Sequence, residues 1–474
     1  MYKSQVSPWF SLGSQNLALF KFTDATLRQT FHISIPASRI RIQLSNTFGG
    51  SDLPITAASL ALPVGDKCGS GDIVTTSLAG VTFSGSPMLL YQKGRRCIRI
   101  QLISFTDATL RQTFHISIPA SRIRIQLSNT FGGSDLPITA ASLALPVGDK
   151  CGSGDIVTTS LAGVTFSGSP SVVIPKGKTV YTDPIDFAVK EQSMLTLSLY
   201  SEKGQSGSSI TGHPGSRTSS WMVSGNKVNT SSVAGASTKH WYFATSVEAW
   251  APKNSSAWII LGDSITDGRG STDDANNRWP DLVLAKMQKG GVTNVGVNNQ
   301  AAGGNTVLTG GLGPTLMTRY NRDAIQQSGV KYVMIFEGVN DIGGGGTDSG
   351  TQTQIGNNLI SAFKTIAADC KKAGIAIFAA TITPFGGSGQ SYSNPTREAT
   401  RVKVNTWITT SGTFDAVVDF SKIIGDAATP SQLASQYNSG DHLHPNVAGY
   451  QAIADAFPVD IFAKFAGNDT AGKM

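Results

Sequence analysis

The chain has 474 residues, of which 40% are hydrophobic, 15% charged and 52 are glycine, with a formal net charge of +7. This length exceeds what a single hydrophobic core supports, and the composition excludes a chain that is mainly disordered. The charge would suggest a nucleic-acid partner, but residues 1–104 hold ten Lys/Arg against four Asp, leaving only about +1 for the rest of the chain. The basicity is local, notably at Lys93, Arg95, Arg96 and Arg99, and no nucleic-acid partner is expected.

The opening MYKSQVSPWFSLGSQNLALF interrupts its apolar residues with Ser, Gly, Gln and Asn, so it lacks the continuous core of a secretory signal. No run approaches the roughly 18 apolar residues of a membrane span. Phe22–Pro87 and Phe105–Pro170 are the same 66 residues, offset by 83. Two copies without drift read as a recent duplication or a faulty gene model rather than a working repeat array. Only the second copy continues into the alternating segment SVVIPKGKTVYTDPIDFAV. Residues 1–104 are therefore expected to be a poorly packed partial duplicate, dispensable for activity, behind an incomplete or misassigned first exon.

In each copy HISI, RIRIQLSN and LPITAASLAL read as short strands broken by Asn, Gly, Asp and Pro. This predicts a β-sandwich or jelly roll over residues 105–250. Cys68, Cys97, Cys151 and Cys370 show no CxxC or metal-type spacing and read as isolated thiols, with a Cys151–Cys370 bridge as the alternative. Sequons at Asn229, Asn254 and Asn468 fit a secreted glycoprotein.

From about Ser256 strands and helices alternate. SAWIILGDS, TNVGVNNQAA, VKYVMIFEGVND, IAIFAATITPF and FDAVVDF read as strands. RWPDLVLAKMQKGG, PTLMTRYNRDAIQQSG, QIGNNLISAFKTIAADCKKAG, a stretch near 395–411 and a last one after Pro445 read as helices. Apolar runs of strand length between amphipathic helices predict an α/β domain over 256–466, its parallel sheet covered on both faces. Residues 467–474 form a tail. Reactive groups in such a sheet lie at the carboxyl ends of the strands.

At the end of the first of these strands stands Gly262-Asp263-Ser264, where Gly262 permits a tight turn. A serine needs a base. His32 and His115 are copies of one another on a strand, His213 lies in a TGHPGSRTSS loop, and His240 precedes an aromatic strand. His442 and His444 remain. Asp441 and His444 are three apart where a helix is expected to begin, with Pro445 in its first turn. That spacing lets the carboxylate orient the ring toward Ser264; His442 points elsewhere and reads as structural. Donors for a developing oxyanion can come from Gly303-Gly304-Asn305-Thr306 and Gly338-Val339-Asn340-Asp341, which follow the next two strands.

Gly262-Asp263-Ser264, Gly304-Asn305, Gly338-Val339-Asn340-Asp341 and Asp441-His442-Leu443-His444 resemble, in order, the four blocks of the GDSL/SGNH hydrolases. The resemblance covers about residues 256–466. It implies a three-layer α/β/α, flavodoxin-like domain and an oxyanion hole made by the Ser264 amide, the Gly304 amide and the Asn340 side chain. Residues 105–250, with HPGSRTSSW and HWYFATSVEAW, are also similar to the β-sandwich preceding the catalytic domain in secreted fungal and bacterial members that resemble polysaccharide deacetylases. The duplicated start and missing signal depart from that pattern; an extracellular location rests on the resemblance and the sequons.

The expected reaction is acyl transfer through an acyl-enzyme on Ser264, with His444 as base and Asp441 orienting it. It requires no metal and no cofactor, and the glycine runs at 303–304 and 343–346 lack the GK[ST] ending of a phosphate loop. The polar loops GRGSTDDANNRW, GGGGTDSGTQT and GGSGQSYSNPT favour short acyl groups, acetyl above all, on a carbohydrate. Asp263, Trp279 and Asn305 read as substrate contacts, with Trp279 either a sugar platform or core packing beside Pro280. His213 and Arg217 read as a structural loop, with reach to the site as the alternative. Two rival functions stand: a GDSL lipase or arylesterase on lipid or small esters, and a carbohydrate-binding protein with an inactive hydrolase fold.

Overall fold

The computed structural model describes residues 2–5, 59–60, 79–80, 106–206 and 209–465. The expectations for residues 1–104, and the tail with its sequon at Asn468, lie outside the described residues apart from short strands at Tyr2–Gln5, Ser59–Leu60 and Ala79–Gly80. The chain divides into two compact units, Val6–Ser104 and a second comprising Met1–Gln5 and Phe105–Met474.

Between 106 and 249 every strand pairing is antiparallel. One six-stranded sheet runs Ala236–Thr238, Ser220–Ser224, Ala108–His115, Met194–Ser201, Ala140–Ala144, Ala162–Gly163. In another, Ala120–Ser128 pairs with Thr179–Tyr181, Ile185–Val189 and Ala244–Ala249. The period-2 pattern of RIRIQL is realised there: Ile123, Ile125 and Leu127 are buried, and Arg122, Arg124 and Gln126 take the opposite face. Of the expected strand HISI, Ile116–Ile118 form the connection to the next strand and only His115 is in a strand, as the last residue of Ala108–His115. That strand is central, paired on both edges, and its polar residues are buried too, so no alternation marks it. Its Arg111 is satisfied by Ser198 Oγ at 3.0 Å, Gly154 O at 2.7 Å and Thr230 O at 2.8 Å. Cys151 and Cys370 are both free and buried, so no bridge joins them.

The second half contains β1 (Ser256–Gly262), β2 (Val295–Asn299), β3 (Val330–Phe336), β4 (Ala376–Ala380) and β5 (Ala416–Val418). All are parallel, in the order β2-β1-β3-β4-β5, which is the doubly wound order of flavodoxin-like sheets. The helices named below are α1 (Ser264–Asp267), α2 (Trp279–Lys289), α3 (Val339–Gly344), α4 (Ser349–Lys372), α5 (Pro395–Thr410) and α6 (Val447–Ala456). α2 packs with α6, and α4 with α5; right-handed crossovers running in opposite directions from β1 put these two groups on opposite faces. The expected helix PTLMTRYNRDAIQQSG is shorter, a turn and a half at Leu316–Tyr320 running into a π-helical turn at Asn321–Ile325.

Trp279 belongs to the core. It is fully buried, edge-on to Phe420 at 5.1 Å and stacked on Phe457 at 6.2 Å. The sugar-platform reading is thereby corrected: Pro280 in the first turn and Asp281, which accepts the Arg278 backbone N–H at 3.2 Å, start α2 so that its first residue points inward.

Candidate active site

β1 ends in Gly262, where a Cβ would lie 2.6 Å from Thr266 Oγ1 and 3.0 Å from the Phe336 carbonyl. Only glycine allows that close approach, and the chain turns at once into α1. Asp263 caps this helix by accepting the Ile265 N–H at 2.9 Å. It is buried, and burial pushes its carboxyl up to about 7 against the pull of that hydrogen bond. Asp263 therefore shapes the turn and does not face substrate, a correction to its expected role.

Ser264, next in sequence, places Oγ 2.8 Å from His444 Nε2. His444 Nδ1 lies 2.6 Å from Asp441 Oδ2. The expectation that Asp441 and His444 share the first turn of a helix is corrected. α6 begins later, at Val447, capped by Asn446. The two residues meet because Asp441 Oδ1 accepts the backbone N–H groups of Leu443 at 3.0 Å and His444 at 2.8 Å, closing an Asx-type turn. Partial burial opposes ionisation of Asp441, but the hydrogen bonds from the His444 ring and backbone outweigh it and hold the carboxyl well below the usual range. The arrangement can pass a proton from the serine hydroxyl to the imidazole. His442 turns away, its ring against Gly387 and its Nδ1 at 3.1 Å from Asn438 Nδ2.

Gly304 has φ +71, a conformation suited to glycine. Neither its N–H nor that of Ser264 has a hydrogen-bond partner among the described residues. The neighbouring Gly303 N–H is held by Asp267 Oδ2 at 3.1 Å, which fastens this loop to α1. Asn340, in the first turn of α3, donates from Nδ2 to the Asn305 carbonyl at 2.7 Å; an amide nitrogen carries a second hydrogen. The Asn305 side chain itself is buried, bonded to Leu312 O, Pro314 O and Arg319 Nε at 2.8–2.9 Å. Its reading as a substrate contact is corrected, since every polar atom is engaged inside.

Several supports escaped the sequence reading. Buried Arg319 donates to the carbonyls of Gly262 at 3.2 Å and Gln300 at 2.6 Å and to Glu337 at 3.2 Å, joining the ends of β1, β2 and β3. Burial nevertheless dominates at Glu337, whose carboxyl is pushed up to about 8 despite that guanidinium. Asp341 accepts the Val307 and Leu308 N–H groups, both at 2.9 Å, anchoring the loop after Gly304 to α3. The loop of His213 and Arg217, which the sequence did single out, reaches over from the antiparallel half: His213 Nε2 meets Asp267 Oδ1 at 2.6 Å, and the Arg217 carbonyl accepts the Asp274 N–H at 2.8 Å. This loop buttresses α1 without joining the triad. The available signal was an acid a few residues beyond the first and third motif glycines, Asp267 after Gly262 and Asp341 after Gly338.

Among the described residues no group of three or more His, Cys, Asp or Glu could hold a metal ion. No described helix is long and apolar enough to cross a membrane.

The model of the GDSL-like lipase/acylhydrolase family matches residues 260–452. No curated protein matches the chain. Among solved structures, the lipase/acylhydrolase of Enterococcus faecalis is 22% identical, covering 45% of this chain and 96% of that one, with a TM-score of 0.34. An acetylxylan esterase of Geobacillus stearothermophilus is 21% identical, covering 46% and 98%, at 0.32. A GDSL-like lipase of Bacteroides thetaiotaomicron is 15% identical, covering 46% and 93%, at 0.34.

Proposed function

We propose, from the match of residues 260–452 to the GDSL-like lipase/acylhydrolase family model, that the protein is a serine-dependent carboxylic ester hydrolase acting on short acyl, chiefly acetyl, esters of carbohydrate. The observation that carries this reading is the continuous chain from Ser264 Oγ through His444 to Asp441, together with two backbone N–H groups, of Ser264 and Gly304, that have no partner among the described residues. His444 Nε2 takes the Ser264 proton as Oγ attacks the ester carbonyl. The oxyanion is held by the Ser264 and Gly304 amides and by Asn340 Nδ2. His444 returns the proton to the departing alcohol, leaving the acyl group on Ser264. Water, activated by the same imidazole, then releases the acid, while Asp441 keeps Nδ1 protonated throughout.

The substrate class follows from what surrounds the serine. The apolar side chain against Gly304 is Leu312, which is 65% exposed, and the flanking loops are otherwise rich in Gly, Ser, Thr, Asn and Asp. That suits a small acyl group on a polar carrier better than a long chain, which needs an apolar trough. We read residues 105–250 as an accompanying β-sandwich domain, and the exposed sequons at Asn229 and Asn254 as favouring secretion.

Fluorophosphonate labelling tests the nucleophile. Wild type is expected to label and Ser264→Ala not to; an unlabelled wild type would favour a binding protein with an inactive hydrolase fold. Faster turnover of long-chain than of acetyl nitrophenyl esters would overturn the substrate class in favour of a lipase.

A further inference from the structure

Asn340 must present an N–H, not its amide oxygen, to the reacting carbonyl, and an amide side chain is nearly symmetrical in shape. Two partners hold it. The Asn305 carbonyl, which can only accept, takes one Nδ2 hydrogen at 2.7 Å and selects the face. On the other side the Tyr392 hydroxyl lies 3.1 Å from Asn340 Oδ1, which can only accept, so the phenol donates. We propose that Tyr392 is a positioning residue for the oxyanion hole: its hydroxyl fixes the plane of the Asn340 amide and polarises it, strengthening the remaining Nδ2–H as a donor.

The ring is held for this purpose from several sides. A Cβ on Gly343, one turn along α3 from Asn340, would lie 2.0 Å from Tyr392 Cδ2, so the ring rests directly on the helix that carries the amide. Phe385 meets it edge-on at 6.3 Å. The Tyr392 N–H donates to Gln390 Oε1 at 3.1 Å, and Gln390 Nε2 donates to the Asp441 carbonyl. One loop after β4 thus ties the amide that faces the oxyanion to the turn that carries the acid and base. A donor to Oδ1 draws electron density through the amide, and hydrogen bonds in series reinforce one another. The relay is silent in the ground state and matters when negative charge develops, so it acts on kcat more than on KM.

This inference rests on the oxyanion-hole assignment made above, and a double-mutant cycle separates the two. kcat and KM for nitrophenyl acetate are measured for wild type, Tyr392→Phe, Asn340→Ala and the double variant, with Tm alongside. Asn340→Ala is expected to lose about 10²–10³ in kcat, as for other side-chain oxyanion donors. Tyr392→Phe keeps the ring on Gly343 and is expected to lower kcat about tenfold, with KM within about twofold and Tm within a few degrees of wild type. In the Asn340→Ala background it is expected to change nothing. Wild-type kcat in Tyr392→Phe, or the same loss in both backgrounds, overturns the inference alone. Wild-type kcat in Asn340→Ala overturns the oxyanion-hole assignment, and the inference with it.

Discussion

Replacing Asp441 by Asn changes one atom and is expected to disable the base through its tautomer. Asp441 Oδ1 accepts two backbone N–H groups, from Leu443 at 3.0 Å and His444 at 2.8 Å, while Oδ2 faces His444 Nδ1 at 2.6 Å. An asparagine can keep its oxygen on the two N–H groups, which turns its NH2 toward Nδ1. The reverse orientation aims the NH2 at both backbone donors and leaves them unsatisfied, at about 1–3 kcal/mol each. The first orientation therefore prevails, and it makes Nδ1 an acceptor. The ring proton moves to Nε2, which lies 2.8 Å from Ser264 Oγ and can no longer take its hydrogen. The expected loss is about 10⁴ in kcat with the fold intact, the scale seen when a triad carboxylate becomes an amide. Asp441→Ala leaves the ring free to adopt either tautomer and should retain no less activity than Asp441→Asn. Steady-state turnover of nitrophenyl acetate near neutral pH, with Tm as the control for folding, measures both. An Asp441→Asn enzyme within tenfold of wild type would refute the argument from the turn geometry.

Two further outcomes follow from the buried groups. Glu337 has its carboxyl raised from the ordinary 4.5 to about 8, so across that interval the native state holds a proton that the unfolded chain has released. Stability should then fall as pH rises from about 4.5 through about 8, and Glu337→Gln should flatten the Tm profile between those limits; an unchanged slope would mean that Arg319 compensates the charge in full. Trp279→Ala should cost about 3–5 kcal/mol of stability as an emptied core site, with KM for acetylated sugar unchanged in the protein that remains folded. A raised KM at unaltered stability would restore Trp279 as a substrate platform.

The parts of this site that sequence reasoning could reach are those whose chemistry is short-range. A strand of β1's apolar length announces its own end, and a serine there is placed by the turn that follows. The three-residue spacing of Asp441 and His444 was equally readable, although the local structure that produces it was not. A Pro after His444 suggested a helix start; the actual device is an Asx turn, whose pattern of one carboxylate and two N–H groups leaves no periodicity to detect. Trp279 was ambiguous for a related reason. The residues just before it are polar and those after it mostly apolar, and the aromatic cluster that buries it comes from residues as distant as Phe420 and Phe457.

The supports were invisible because they work across the sheet. Arg319 bonds to the ends of three strands that are separated by tens of residues, and Tyr392 reaches an amide 52 positions earlier in the chain. In sequence Arg319 is one cation of an amphipathic segment and Tyr392 one aromatic in a polar loop. What makes them legible in three dimensions is a demand set by the proposed chemistry, in which Gly304 and Asn340 are donors: every donor that must face a developing charge also has to be prevented from satisfying itself elsewhere. Gly304 meets that demand through a left-handed backbone that Asp267 anchors one residue upstream. Asn340 meets it by having its oxygen and one hydrogen already engaged, leaving a single N–H to give. A search for residues that occupy the other valences of a proposed donor is therefore a more direct route to the supports of such a site than a search for residues near the nucleophile.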